Sequence, residues 1–209
     1  IHSVDEFVLY DDAQFTRRDW RNRNRIKTPR GAAWLTIPVN SKGKYFEPIK
    51  HITVSDASWG LQHWRTLVAN YARAPYFSQY AGTFEQLFLE LTDTRLSAIN
   101  FAWIQAICGL LGIRTKLSWS MDYEMVEGKT ERLVAICKQA GATSYLSGPA
   151  ARDYIKPEQF DAAHVELRYF DYSGYEEYPQ VHPPFDHYVS ILDLLFNVGP
   201  AAPRYMLSF

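Results

Sequence analysis

The hydrophobic period of this chain changes along its length, and that change limits the possible folds more than any single motif. Trp64, Leu67, Val68 and Tyr71 share one helical stripe, Pro75 interrupts, and Phe84, Leu87, Phe88 and Leu91 repeat the same spacing. Leu96, Ile99, Trp103, Ile107, Leu110 and Leu111 predict a third helix. From Ile113 the pattern turns to alternation: a short strand (IRTKLS), a polar loop, a helix opening near Thr130 with Glu131 in its first turn and Gly141 at its stop, then a strand TSYLS. A helical turn over Pro157–Ala163 leads to a strand over Val165–Phe170, so successive crossovers should build a parallel sheet. Ahead of the helices, Val4–Tyr10 reads as a buried strand ending at Asp11-Asp12. Ala32–Val39 and Ile49–Val54, rich in β-branched residues, read as strands around the exposed loop SKGKYFEP. A last helix is predicted over His187–Asn197, closed by Gly199. The expectation is an α/β fold, a Rossmann-like, mostly parallel sheet in one domain over residues 1–209, with a helical insertion near 57–112.

Composition removes several function classes. With 47% hydrophobic residues and 22 basic against 23 acidic side chains, the chain is ordinary globular material, and nucleic acid is not its expected partner. The uncharged run Leu96–Ile113 carries Ser97, Asn100 and Gln105 with helical periodicity, which predicts a core helix and no membrane span. Cys108 and Cys137 sit in apolar helical runs, as buried free thiols of a reducing, cytoplasmic protein would. The chain opens at Ile1, without methionine and inside an element, so an N-terminally incomplete sequence is expected.

Four places can carry chemistry. Arg17–Arg30 (RRDWRNRNRIKTPR) sets seven basic residues against one acid, Asp19, with Trp20, Asn22 and Asn24 interleaved. Arginine forks match phosphate or carboxylate oxygens, and Trp20 can cover a base, a sugar or an apolar face; a solvated basic face is the alternative. Asp11 and Asp12 end a strand, where α/β folds bind ligands, and could orient a metal, a substrate hydroxyl or an amine; a turn-forming pair is the alternative. Gly128-Lys129-Thr130 resembles the end of a phosphate loop, but Tyr123 stands where that motif needs glycine. What remains is Ser118, Ser120 and Lys129 before a helix whose free N–H groups favour an anion, or simple capping by Thr130. Ser147-Gly148-Pro149 offers a second junction where glycine admits a close ligand or a tight turn. The six histidines form no metal pattern, and Gly-x-Ser-x-Gly and Gly-x-Gly-x-x-Gly are absent, so no metal or cofactor follows. Tyr169, Phe170, Tyr172, Tyr175 and Tyr178 form either a carbohydrate-stacking loop or a packed one.

Taken in order, several segments resemble the WbqC-like family of bacteria, found among surface-polysaccharide (O-antigen) biosynthesis genes. They are EFVLYDDAQF (Glu6–Phe15), the basic block with Trp20 and Asn22-Arg23, WLTIPV with Pro38, and Tyr71 through Pro75-Tyr76-Phe77. Ser118, Gly128, Tyr145-Leu146-Ser147-Gly148, Tyr178-Pro179-Gln180, Phe185 and the tail SILDLLFNVG complete the pattern. The family's usual opening, a strand and a Gln-Pro, aromatic-Pro-Trp loop, does not precede Ile1. The resemblance implies a transferase moving an aminoacyl or acyl group to an amino sugar or nucleotide-sugar. Its partner would be a small anionic substrate, a nucleotide-sugar or activated acyl donor. The basic block would hold phosphate through Arg17, Arg18, Trp20, Asn22 and Arg23, with Ser118, Lys129, Ser147, Gly148 and Tyr178 as further contacts and Asp12 or His51 as proton acceptor. Nucleotidyl or adenylyl transfer and a non-catalytic module of a glycan-assembly complex are the alternatives. Neither a cofactor nor an oligomeric state follows from these motifs.

Overall fold

The structure is a computed structural model that describes residues 1–43 and 46–208. In chain order its elements are β1 (Glu6–Leu9), β2 (Arg23–Thr28), β3 (Gly31–Thr36), α1 (Trp59–Tyr71), α2 (Phe77–Leu89), α3 (Leu96–Leu111), β4 (Lys116–Trp119), α4 (Lys129–Gln139), β5 (Ser144–Ser147), α5 (Pro157–Ala162), β6 (Glu166–Tyr169) and α6 (Ile191–Val198). The chain divides into two compact units, Ile1–Asp12 with Thr115–Gly174, and Ala13–Arg114 with Tyr175–Phe209.

The first unit contains the alternating elements. β1 pairs with β4 in parallel, Glu6 opposite Lys116, and β5 pairs with β6 in parallel through the α5 crossover. Its core joins Leu133 and Cys137 of α4 to Ala151, Ile155, Phe160 and Val165, and Tyr145 stacks on Phe160 at 5.3 Å. The apolar residues that predicted these elements therefore face one another, as crossover helices over short parallel strands must.

The second unit is built on the three predicted helices. Trp64, Tyr71, Phe77, Phe84, Phe88 and Phe196 form an aromatic core, with Phe84 stacked on Trp103 at 5.8 Å. Gly60 lets α1 meet α2 closely, since a Cβ there would lie 1.9 Å from the Phe88 carbonyl oxygen. The antiparallel hairpin β2–β3 lays Ile26, Ala33 and Leu35 on this core. Period-2 alternation then puts Arg23, Arg25, Lys27 and Trp34 on the opposite face.

Three expectations need correction. The mostly parallel sheet is observed as three two-stranded sheets, one antiparallel, and the basic block supplies β2. Ile49–Val54 is not a strand: Ile49–His51 form a 3-10 turn, because Ile49 and Ile52 both turn inward toward Phe15 and Leu96, and only the bridges Val39–Val54 and Thr53–Arg95 follow. The last helix starts at Ile191, where the Ser190 hydroxyl accepts from the Leu192 N–H, while the Ser190 N–H is already donated to the Arg25 carbonyl at 2.7 Å. The predicted loop SKGKYFEP includes Lys44 and Tyr45, which lie outside the described residues. Among the described residues no helix is long and apolar enough to cross a membrane.

Candidate functional site

In the first unit the carboxyl ends of the strands gather polar groups. Asp12 follows β1, and its carboxylate accepts a hydrogen bond from the Ser120 hydroxyl at 2.7 Å, just past β4. Ser120 is fully buried, while Asp12 is half-buried, so the carboxylate is fixed without being sealed from solvent. Beside it, the Tyr10 hydroxyl is raised above its usual pKa by burial, an effect opposed by its hydrogen bond to Arg132 of α4. At the end of β5 the Ser147 hydroxyl bonds Tyr145, whose pKa burial pushes up to about 12. These side chains stand at or just beyond the carboxyl ends of β1, β4 and β5.

Other predicted contacts in this unit are already engaged. The Ser118 hydroxyl donates to Glu6 at 2.5 Å, and Glu6 also accepts from Lys116 at 3.0 Å and from Tyr123. Burial acts to raise the Glu6 pKa, but these donors together hold it below its ordinary value. The N-terminus of α4 is occupied from within by Glu131, whose carboxylate is kept low first by the Gln159 amide and then by backbone N–H groups of the same turn. Thr130 is not the cap: Gly128 is, at φ 95°, and the buried Thr130 hydroxyl accepts the Lys156 N–H at 3.2 Å. Lys129 is exposed on the first turn. Gly148 has no steric obligation, because a Cβ would meet only the Tyr172 hydroxyl at 3.7 Å.

In the second unit the basic block is organised by its one acid. Asp19 accepts from the Thr16 hydroxyl, the Trp20 N–H and the Arg21 guanidinium. Arg17 donates to the Ser41 hydroxyl and carbonyl, and Arg25 pairs with Asp186 at 3.1 Å. The Arg23 guanidinium carbon lies over the Trp34 ring, 3.9 Å from its centroid, and Arg23 donates to the Arg18 carbonyl. Asn22 is buried and used structurally, its amide donating to the Ile37 carbonyl at 2.8 Å. His51 is exposed, with Nδ1 3.0 Å from Glu47.

Tyr178 does not form a stacking loop. Its hydroxyl donates to buried Asp193 at 2.9 Å, a carboxylate that also accepts from Tyr71 at 2.7 Å, Gln180 at 2.9 Å and Asn197 at 3.2 Å. Burial raises the Asp193 pKa against those donors. Sequence reasoning missed this network; the signal was Asp193 and Asn197 one turn apart in an otherwise apolar helix. Among the described residues no group of three or more His, Cys, Asp or Glu is arranged to hold a metal.

A family model described as the WbqC-like protein family matches residues 1–205. The Mycobacterium tuberculosis protein named Uncharacterized protein Rv1507c is 48% identical over 203 residues, covering 97% of this chain and 88% of that protein. No solved structure matches.

Proposed function

The chain belongs to the WbqC-like protein family, and from that premise we propose a transferase of bacterial surface-polysaccharide biosynthesis that moves an acyl or aminoacyl group onto an amino sugar or nucleotide-linked amino sugar. The observation that carries this reading is the Asp12 carboxylate, fixed by Ser120 at the carboxyl ends of β1 and β4. The order β4-α4-β5-α5-β6 supports a Rossmann-like reading of the first unit, in which this edge holds substrate. An amine is nucleophilic only without its extra proton, so Asp12 serves as the acceptor. The amine nitrogen attacks the donor carbonyl carbon, the new C–N bond forms, and the bond to the leaving group breaks. The proton shed by nitrogen passes to Asp12. Buried free thiols at Cys108 and Cys137 support the cytoplasmic placement within the same proposal.

The test is mass gain on the acceptor when protein is incubated with nucleotide-linked amino sugars and activated acyl donors. Asp12→Asn keeps the shape but removes the proton acceptor, so turnover should fall at least a hundredfold. Equal turnover by Asp12→Asn and wild type overturns the assignment. Pyrophosphate release from a nucleoside triphosphate would point to nucleotidyl transfer, which the filled α4 N-terminus disfavours. A binding-module reading is favoured by the exposed indoles of Trp20 and Trp34; it predicts binding without mass gain.

A further inference from the structure

The polar face of the hairpin has a covered end and an open end. Near the turn, Lys27 is 3% exposed and donates to the Pro184 carbonyl, and Arg25 is neutralised by Asp186. The opposite end carries Arg23 with Trp20 beside it, and Trp34, paired with Arg25 in the register, stands between the two ends with the Arg25 guanidinium 6.0 Å from its ring centroid. Trp20 and Trp34 are 55% and 43% exposed, and their rings meet at 4.9 Å. Two adjacent indoles in water are an unused apolar surface.

The charge beside them is also unused. Arg23 is held by neutral partners, the Trp34 ring and the Arg18 carbonyl. Among the described residues no carboxylate forms an ion pair with Arg17, Arg18 or Arg23. Arg18 adopts φ 59°, a left-handed conformation that costs a non-glycine residue energy and that accompanies the presentation of its carbonyl to Arg23. Asp19 meanwhile ties Thr16, Trp20 and Arg21 into one loop. The result is a guanidinium fixed in position with no counter-charge among the described residues, next to two indoles tilted 55° to each other.

We propose that this open end binds the nucleoside diphosphate part of a ligand, with the base on the exposed Trp20 indole and phosphate oxygens on Arg23 and Arg18. The inference goes beyond the transferase reading and stands on residues of the second unit alone. Phosphate alone needs no indole, and a base lays a flat π face on one where a sugar ring offers only its C–H groups. Base stacking on aromatic side chains tolerates either base class, so uridine and adenosine diphosphates should both bind.

The experiment titrates the full chain with uridine diphosphate, adenosine diphosphate, inorganic pyrophosphate and glucose 1-phosphate, reading tryptophan fluorescence and binding heat. Both nucleotides should saturate, at least fivefold more tightly than pyrophosphate or glucose 1-phosphate. Trp20→Ala, at an exposed side chain, should weaken the nucleotides roughly tenfold while leaving pyrophosphate unchanged. Arg23→Lys should weaken all phosphates, since lysine keeps charge but loses the fork and the stack. Failure of both nucleotides to saturate at millimolar concentration overturns the subsite, as does pyrophosphate or glucose 1-phosphate binding as tightly as the nucleotides. Nucleotide binding unaffected by Trp20→Ala also overturns it. Acceptor mass gain without nucleotide binding removes the subsite and leaves the transferase; Trp20-dependent nucleotide binding without mass gain supports the subsite and removes the transferase.

Discussion

At Asp193 four donors converge on one buried carboxylate, and Tyr71 is the donor with most at stake. Its hydroxyl gives a proton to Asp193 at 2.7 Å and accepts the Lys27 backbone N–H at 2.7 Å. Tyr71→Phe leaves a buried N–H and a carboxylate oxygen each short of a partner, so stability should fall by about 2–3 kcal/mol in urea denaturation with little change in m. The pH dependence has a definite sign. Burial already raises Asp193, and losing a donor raises it further, so the folded variant holds that proton more tightly than the unfolded chain does. The deficit should therefore narrow as pH falls through the range above about 4 in which the folded variant takes up this proton before folded wild type does, and level off once both folded forms are protonated, since the unfolded carboxyl is common to both. A deficit that does not narrow before that point, or that widens, would place the cost elsewhere. The residues of this network, Tyr71, Tyr178, Gln180 and the tail around Asp193, were visible as pattern. Their chemistry was not, because only the fold brings positions 122 residues apart onto one carboxylate.

Helices and strands were legible to different degrees, for a physical reason. α1, α2 and α3 bury one stripe each, so apolar spacing alone located them. β2 was hidden because its outward face is Arg and Lys, and the charges read as a ligand surface before they read as alternation. The 3-10 turn at Ile49–His51 was hidden because β-branched composition suggested extension, while inward isoleucines three apart require a turn. Glycines in helices test the packing directly. Gly82 in α2 and Gly109 in α3 have nothing within 4 Å of an added Cβ, so alanine there should be neutral or add up to about 1 kcal/mol from helix propensity. Gly60→Ala gains the same propensity but drives a methyl to 1.9 Å from the Phe88 carbonyl oxygen. Overpacking of that kind costs about 1–3 kcal/mol, so Gly60→Ala should lower Tm while Gly82→Ala and Gly109→Ala hold or raise it. Equal melting of all three variants would show that α1 and α2 can separate without loss.

For the molecule as a whole, chain order and spatial unit do not coincide. The first unit is assembled from residues 1–12 and 115–174, and the second from 13–114 and 175–209, so a linear reading naturally took the middle as an insertion. The same long-range closure explains why only part of the candidate site was legible. Asp12 was readable as a strand-end carboxylate, but Ser118 and the α4 N-terminus looked available because their partners, Glu6 and Gln159-supported Glu131, come from the fold. Ser118 therefore gives a test at this scale. Its bond to Glu6 at 2.5 Å joins positions 112 residues apart, beside a parallel ladder in which Glu6 opposes Lys116. Closing so long a loop costs chain entropy before the strand contacts repay it, and such contacts belong late in folding. Ser118→Ala should then lose about 1–2 kcal/mol, with the loss appearing as faster unfolding and little change in the folding rate. Its nucleoside diphosphate affinity per folded molecule should equal that of wild type. A tenfold weaker affinity with an unchanged unfolding rate would return Ser118 to ligand binding and remove it from the β1–β4 junction.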